Sequence, residues 1–308
     1  MNSSKLQVAI ILINYNSSGY TIDCVASIIK HTSDIRYQII VVDNNSREEE
    51  FNKLAVLRDP RVTVHRSRLN VGFSGANMIG VQLAAAEYYY FLNNDTELIN
   101  DCIGILYRYM EANPKVANAS AEMYDGAGNF DCGFGYFPTI ALKLFGSGIL
   151  RLFSARQFPP RTAPLKEPTI VDFVSGSSMF IRAEPFEKIG GLDTHYFLYC
   201  EEEDIALSLR RNGFLTAVVP EAKYKHYMNK STDSTNKIRL PFRKEYYISL
   251  LYYYRKHNNS FYVLLIQLMM FVKAARKFYK TWDYARLAWF ILKGAPSKES
   301  LRFRQTIR

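Results

Sequence analysis

The alternation of residues 7–96 constrains this chain more than any other feature. Four runs rich in β-branched and aromatic side chains, 7–14, 36–43, 61–66 and 88–93, are separated by polar loops and helix-length segments. Strands that alternate with helices pair in parallel, through crossovers that are right-handed. Between the first two runs, residues 20–30 put Ile22, Val25, Ile28 and Ile29 on one helical stripe, behind Ser17, Ser18 and Gly19 as capping material. The expectation is an α/β fold whose mostly parallel sheet is flanked by helices.

Open sheets of this kind hold ligands at the carboxyl ends of their strands. Four polar clusters follow strand ends or helix starts: Asn14-Tyr-Asn16, Asp43-Asn-Asn-Ser46, the stretch from Asn70 to Asn77, and Asn93-Asn94-Asp95. Asn93 and Asp95 are two residues apart, so on an extended backbone they face one side and can share a hard cation or a phosphate. The other reading is a polar turn closing a buried strand. Asp43 can accept hydrogen bonds from a nucleoside, or cap a helix together with Ser46. Gly72 and Gly75 either let the backbone approach a ligand closely or mark an ordinary Gly-rich loop, with Asn77 entering the next helix.

Beyond residue 96 the pattern loosens. Residues 124–170 are rich in Gly and Pro and read as a long surface excursion, the kind of loop that is functional or mobile. Regularity returns with apolar segments 170–175 and 178–182, parted by Gly176, then 186–191, a helix over 201–212 and a short strand over 215–219. Gly213 stands where a left-handed C-cap ends that helix. Glu201, Glu202, Glu203 and Asp204 open the same helix and complement its dipole. Yet four like charges exceed what capping needs, and crowding raises a carboxylate's pKa, which readies a general base near neutral pH. His226, after a short loop, is either a metal ligand or a structural or exposed side chain.

With 308 residues, the chain can form one large α/β domain with an appendage, or two modest domains. Its 22 Tyr and 20 Phe suit surfaces for sugars, lipids or partners. Cys24, Cys102, Cys132 and Cys200 match neither a zinc spacing nor a disulfide framework, so reduced thiols in a cytoplasmic protein are expected. The apolar run 8–13 is too short for a signal-peptide core. No Gly-x-Gly-x-x-Gly follows the first strand and no Walker lysine loop occurs, which argues against a dinucleotide-binding or P-loop domain. The net charge of +10 is uneven: residues 1–222 carry 20 Lys and Arg against 25 Asp and Glu, and residues 223–308 carry 19 against 4. A basic tail suits an anionic surface, either nucleic acid or a membrane leaflet.

Taken in order, these motifs resemble the inverting glycosyltransferases of family 2 with the GT-A fold, especially bacterial rhamnosyltransferase-like members that build surface polysaccharides. The resemblance covers about residues 7–257 and starts with Ile13-Asn-Tyr-Asn16 and Val41-Val-Asp43-Asn-Asn-Ser46. It implies a nucleotide diphosphate sugar donor, dTDP- or UDP-linked, contacted by Asn14, Asn16, Asp43, Asn70, Gly72, Asn77 and Asn94. Leu92-Asn93-Asn94-Asp95 stands where the family has Asp-x-Asp, which implies Mg²⁺ or Mn²⁺ on Asp95, with Asn93 beside it and His226 completing the site. The segments around Gly176 and Asp193 resemble the acceptor side, together with Glu201 and Asp204. Glu202 falls on the second member of the family's Glu-Asp pair, the catalytic base. Two departures stand out: Asn93 replaces the usual first Asp, and Glu202 replaces the usual Asp.

The implied reaction is direct displacement onto a saccharide or lipid-linked acceptor, with dTDP-rhamnose as a donor suggested by resemblance. Domain bounds of 1–235 for the catalytic part follow, split near 123/124 into donor and acceptor halves, with a helical, basic, aromatic extension over 236–308. The apolar run 261–272 is too short to span a membrane and is followed by Lys273, Arg276, Lys277 and Lys280. It fits an in-plane anchor, or a helix docked on the catalytic domain or on another copy of the chain. The expectation is a cytoplasmic enzyme peripheral to the inner face of the membrane, with no nucleic-acid partner. The rival readings are a nucleotidyltransferase on the same sheet edge and a nucleic-acid-binding protein using the tail.

Overall fold

A computed structural model describes residues 6–227 and 239–305. β1 (Leu6–Asn14) leads to α1 (Ser18–His31), β2 (Tyr37–Asp43), α2 (Glu48–Lys53), β3 (Val62–Arg66), α3 (Gly72–Gln82) and β4 (Ala86–Asn93). These four strands are parallel in the order β3-β2-β1-β4, as the alternation predicts. The chain continues through β5 (Thr96–Leu98), α4 (Cys102–Ala112), β6 (Val116–Asp125), β7 (Phe130–Asp131), β8 (Phe134–Gly135) and α5 (Ile140–Phe153). There follow β9 (Thr169–Val171), β10 (Phe173–Val174), β11 (Ser178–Arg182), α6 (Ala183–Lys188), α7 (Glu201–Arg211) and β12 (Leu215–His226). β11 inserts antiparallel between β4 and β6, β12 lies parallel to β6, and β5 closes the edge antiparallel to β12.

Both faces of the sheet are covered, which explains why β1 reads as a continuous apolar run rather than an alternating one. Val8, Ile10 and Leu12 pack into a core with Val25 and Ile28 of α1 and Leu106 of α4. Ala9 and Ile11 enter a second core with Ala76 of α3, Phe186 of α6 and Leu209 of α7. α3 approaches β1 closely because residue 80 is Gly: a Cβ there would lie 2.4 Å from Ile11 Cγ2. Truncating a fully buried side chain such as Ile11 to Ala costs about 2–5 kcal/mol in lost transfer energy and cavity.

Among the described residues beyond β12 lie three α-helices, α8 (Leu240–His257), α9 (Ser260–Ala275) and α10 (Trp282–Leu292), followed by two short 3-10 turns. They build a third core around Leu251, Ile266 and Ile291, into which Tyr196 and Cys200 insert from the segment just before α7. The tail is thus joined to the part of the chain that carries the acidic cluster. The expected boundary at 235/236 lies outside the described residues.

Two expectations need correction. The strand expected to stop at 219 runs on to His226, because the register shift between Val219 and Lys223 absorbs Pro220 without ending the pairing. His226 therefore sits on a strand and not after a loop. The excursion 124–170 contains a 14-residue helix, α5, that its glycines disguised: Gly146 breaks it with φ 72° and ψ 162°. Gly213 does adopt positive φ, 86°, just beyond α7.

Candidate active site

The strand ends converge as parallel pairing requires, with Asn14 opposite Asp43 and Ile13 opposite Asn93. Asp43 is fully buried and its charge is answered within the fold. Asn14 Nδ2 donates to its Oδ1 at 2.7 Å, the Ser46 amide donates to its Oδ2 at 3.1 Å, and Arg66 Nε stands 3.7 Å away. Asn14 Nδ2 also reaches Ser46 Oγ at 3.1 Å, and its Oδ1 accepts from Thr21 Oγ at 2.8 Å. Asn16, in the left-handed region at φ 54°, donates its backbone N–H to Ser46 Oγ at 2.9 Å and accepts from the Arg47 amide at 2.8 Å. The Ser17–Gly19 stretch caps α1 less than it braces the site: Ser17 Oγ accepts from Asn94 Nδ2 at 2.8 Å and makes no side-chain cap bond.

The second loop is tied to the first by an amide that the sequence reading passed over. Asn44 Nδ2 donates to Asn70 Oδ1 at 2.9 Å, and Asn44 Oδ1 accepts from the Val71 amide at 2.9 Å. Gly72 has φ 79°, and a Cβ there would fall 2.3 Å from the Phe197 carbonyl oxygen. Phe73 N–H donates to that same carbonyl at 2.8 Å. Only Gly allows this contact, which joins the Asn70–Gly72 loop to the segment that leads into α7. Asn77 is buried with its Nδ2 unpartnered.

At the β4 end, His226 Nε2 lies 3.1 Å from Asp95 Oδ1 and 3.4 Å from Asn93 Nδ2. β12 delivers the imidazole because His226 pairs with Thr96 across β5, and Tyr227 N–H donates to the Asp95 carbonyl at 2.9 Å. His226 Nδ1 is buried and unpartnered. One carboxylate and one imidazole turned toward the same point suit a divalent first-row ion. Among the described residues no third His, Cys, Asp or Glu joins them. The remaining coordination of an ion there falls to the Asn93 amide, water or ligand oxygens.

The acidic cluster is held by an unusual entry. Tyr199 and Cys200 both take left-handed backbone conformations, φ 75° and 67°, immediately before α7. Such strain in two non-Gly residues persists only where surroundings enforce it, here the third core that buries Cys200. Burial raises Glu201 well above the usual carboxylate range, with Glu202's charge adding to it. Glu202 is raised by burial against its own backbone hydrogen bond, and Glu203 by burial and then by Glu202. Oε2 of all three is buried without a hydrogen-bond partner. Glu201 Oε1 and the Phe73 ring both border Gly176, where a Cβ would stand 3.8 and 3.5 Å from them.

Asp193 and Asp204 are brought elsewhere. Lys256 Nζ bridges them at 2.7 and 2.8 Å, His257 Nε2 meets Asp204 at 2.6 Å, and Tyr196 and Tyr252 hydroxyls donate to Asp204 and Asp193. Burial opposes the charge on Asp193, but Lys256 and the His195 amide hold its pKa down to about 2. Both carboxylates are thus occupied in docking α8. Only the tertiary contact could reveal this, since Lys256 and His257 lie more than 50 residues downstream of Asp204.

The mixed sheet thus carries a buried Asp43 at the end of its second strand and an Asp95–His226 pair beyond its fourth, with carboxylates of raised pKa at the start of α7. The family model "Glycosyl transferase family 2" matches residues 9–190, and the chain belongs to that family. Rhamnosyltransferase WbbL of Escherichia coli K12 is 26% identical over 243 residues, covering 73% of this chain and 86% of WbbL. N-acetylglucosaminyl-diphospho-decaprenol L-rhamnosyltransferase of Mycobacterium tuberculosis is 36% identical over 72 residues, 23% of each chain. Among solved structures, GalNAc-T7 with UDP, GalNAc and Mn²⁺ superposes with a TM-score of 0.59 at 18% identity, over 81% of this chain and 48% of that one. Mannosyltransferase PcManGT of Pyrobaculum calidifontis with GDP-Man and Mn²⁺ gives 0.55 at 15% identity, over 95% and 76%. The fold is GT-A, and the chain is a rhamnosyltransferase-like glycosyltransferase. The nucleotidyltransferase reading loses its ground to that assignment.

Proposed function

We propose that this enzyme moves a sugar, with inversion, from a nucleotide diphosphate donor to a saccharide or lipid-linked acceptor in surface polysaccharide synthesis. The observation that carries the reading is the joining of the Asp43 loop, through Asn44, Asn70 and Gly72, to the Phe197 segment that leads into the α7 carboxylates. The Asp43 network with Asn14, Asn16 and Asn70 shapes the nucleoside end of the donor site, and Asn77 and Asn94 border it. Asp95 and His226, with the Asn93 amide beside them, would hold Mg²⁺ or Mn²⁺. When bound, such an ion supplies Lewis-acid neutralisation of a diphosphate leaving group.

Glu202 takes the proton from the acceptor hydroxyl as that oxygen attacks the anomeric carbon opposite the nucleotide. The new glycosidic C–O bond forms, the bond to phosphate breaks with its electron pair leaving on the diphosphate, and the proton rests on Glu202. Its raised pKa matches a base to neutral pH better than an ordinary Glu would. Glu201 and Gly176 line the acceptor side. Similarity to the rhamnosyltransferases supports a dTDP-rhamnose donor, with UDP-sugars as the competing class, and an acceptor presented at the inner face of the membrane.

Nucleotide release from dTDP-, UDP- and GDP-sugars, with and without Mn²⁺, tests the reading, together with donor binding. Metal-dependent turnover of one donor is expected, and neither release nor binding for any donor would overturn it. Asp95→Ala should remove metal-dependent donor binding. A variant that binds donor and metal like the parent takes Asp95 out of this role.

A further inference from the structure

Two helices carry apolar faces that the rest of the described molecule leaves uncovered. On α9, Val263, Ile266, Met270 and Ala274 are buried in the third core. Phe261, Leu264, Leu268 and Val272 point outward with 78, 64, 52 and 44% of their surface exposed. Their spacing of three and four residues makes a single outward stripe. α5 buries no residue, and Leu144, Phe145, Ile149, Leu152 and Phe153 are 50–85% exposed. The two helices adjoin: the Ile140 amide donates to the Tyr262 hydroxyl at 2.9 Å, and Ile140 packs on the core that holds Val263.

Exposed apolar area on this scale marks an interaction surface, and the charge around it selects the partner. Residues 132–166 hold five Lys and Arg with no Asp or Glu, and residues 258–282 hold four with none. A second copy would bring the same positive surface and be repelled. Single-stranded nucleic acid wants stacking rings and polar donors, whereas this stripe is mainly aliphatic. An anionic bilayer satisfies both features, since acyl chains take the apolar stripe and headgroup phosphates take the lysines. No described helix is long and apolar enough to cross a membrane, so such a face lies in the interface plane.

We propose that α5 and α9 together form one interfacial face that lies in the headgroup layer of an anionic bilayer and turns the acceptor side toward it. The link to the acceptor side is the third core, which buries Cys200, the residue before α7, together with Val263 and Ile266 of α9, and against which Ile140 of α5 packs. The α5–α9 junction and the entry to α7 therefore share one core. This inference deepens the membrane-side part of the proposed function and is tested independently of sugar transfer.

The test is flotation of the full chain with phosphatidylcholine vesicles, with and without about 30% phosphatidylglycerol. Anionic vesicles should bind at least about tenfold tighter than neutral ones. The pair Leu144→Glu and Phe145→Glu on α5, and the pair Leu264→Glu and Leu268→Glu on α9, should each weaken that binding about tenfold, with nucleotide release from soluble donor kept. Gln versions of both pairs guard against a folding defect and should show the same order. Binding lost only with the α9 pair overturns the joint face. No vesicle binding by the parent chain overturns the bilayer, and so does a dimer by light scattering that the same substitutions split. Failure of nucleotide release with intact vesicle binding strikes the catalytic reading and leaves this one standing.

Discussion

The Asp43 edge and the α7 edge of this site are built on opposite principles. Around Asp43 each carboxylate oxygen has a donor: Asn14 on one, the Ser46 amide on the other, with Arg66 nearby. At the start of α7, Glu201 is buried and Glu202 and Glu203 are half-buried, and one oxygen of each is buried with no partner. A satisfied polar network rigidifies what it surrounds, which suits recognition of a fixed nucleoside shape. An unsatisfied carboxylate cluster holds its charge at a cost and takes up a proton readily, which suits a base. The difference teaches that a satisfied polar network and a frustrated carboxylate cluster can stand in one molecule, joined by a close backbone contact such as Gly72 on Phe197.

The largest break of this contrast comes from Glu202→Gln. Turnover should fall about 10²- to 10⁴-fold while donor affinity, read by calorimetry, stays within about twofold. Unchanged turnover would remove Glu202 from the base role. Next comes a pair of stability measurements with opposite signs. Asp43→Ala strands Asn14, the Ser46 amide and Arg66, and should lower unfolding free energy by about 3–5 kcal/mol in urea titrations. Glu201→Gln, at the frustrated edge, should raise the melting temperature at pH 8, and a fall there would refute the contrast. Gly72→Ala should cost about 1–3 kcal/mol through overpacking against Phe197 and slow turnover as well.

The smallest effect is on pH. A carboxyl whose folded pKa lies above its unfolded value favours folding below the unfolded pKa and loses that contribution as pH rises through the folded one. Glu201, Glu202 and Glu203 are all raised, so their part of the stability declines from pH 4–5 upward. Activity should run the other way, rising with pH as Glu202 loses its proton, with a midpoint above the ordinary carboxylate range. Asp193, held at about 2, contributes above its unfolded pKa of about 4 and is lost only as pH falls toward 2. A melting curve against pH that lacks the decline above pH 5 would show that the glutamates are not buried as described.

The parallel half of the fold was legible because its strands are bounded by polar clusters and its one described helix stripe is clean. β1, β2, β3 and β4 fall within two residues of the expected runs. The antiparallel insertion of β11 between β4 and β6 was not legible, since a five-residue apolar segment does not specify its neighbours. The strand expected over 215–219 runs on through Pro220 to His226, and Gly146 hid α5. Within the site, the motifs Asn14-Tyr-Asn16, Asp43 through Ser46 and Asn93 through Asp95 were readable as clusters. Asp204 was not separable from its three acidic neighbours, because its difference lies in meeting His257 and Lys256.

The sequence by itself determined the βαβ order, the carboxyl-end clusters that follow from it, and the asymmetry of charge between the body and the tail. Local pattern suffices for these, because strand period, helix period and turn chemistry are properties of neighbouring residues. Only the tertiary structure decided which acids are paired and which are left bare, that His226 reaches Asp95, and that α5 and α9 turn apolar faces outward together. Those outcomes depend on what is buried beside what, and burial is set by the packing of segments far apart in the chain.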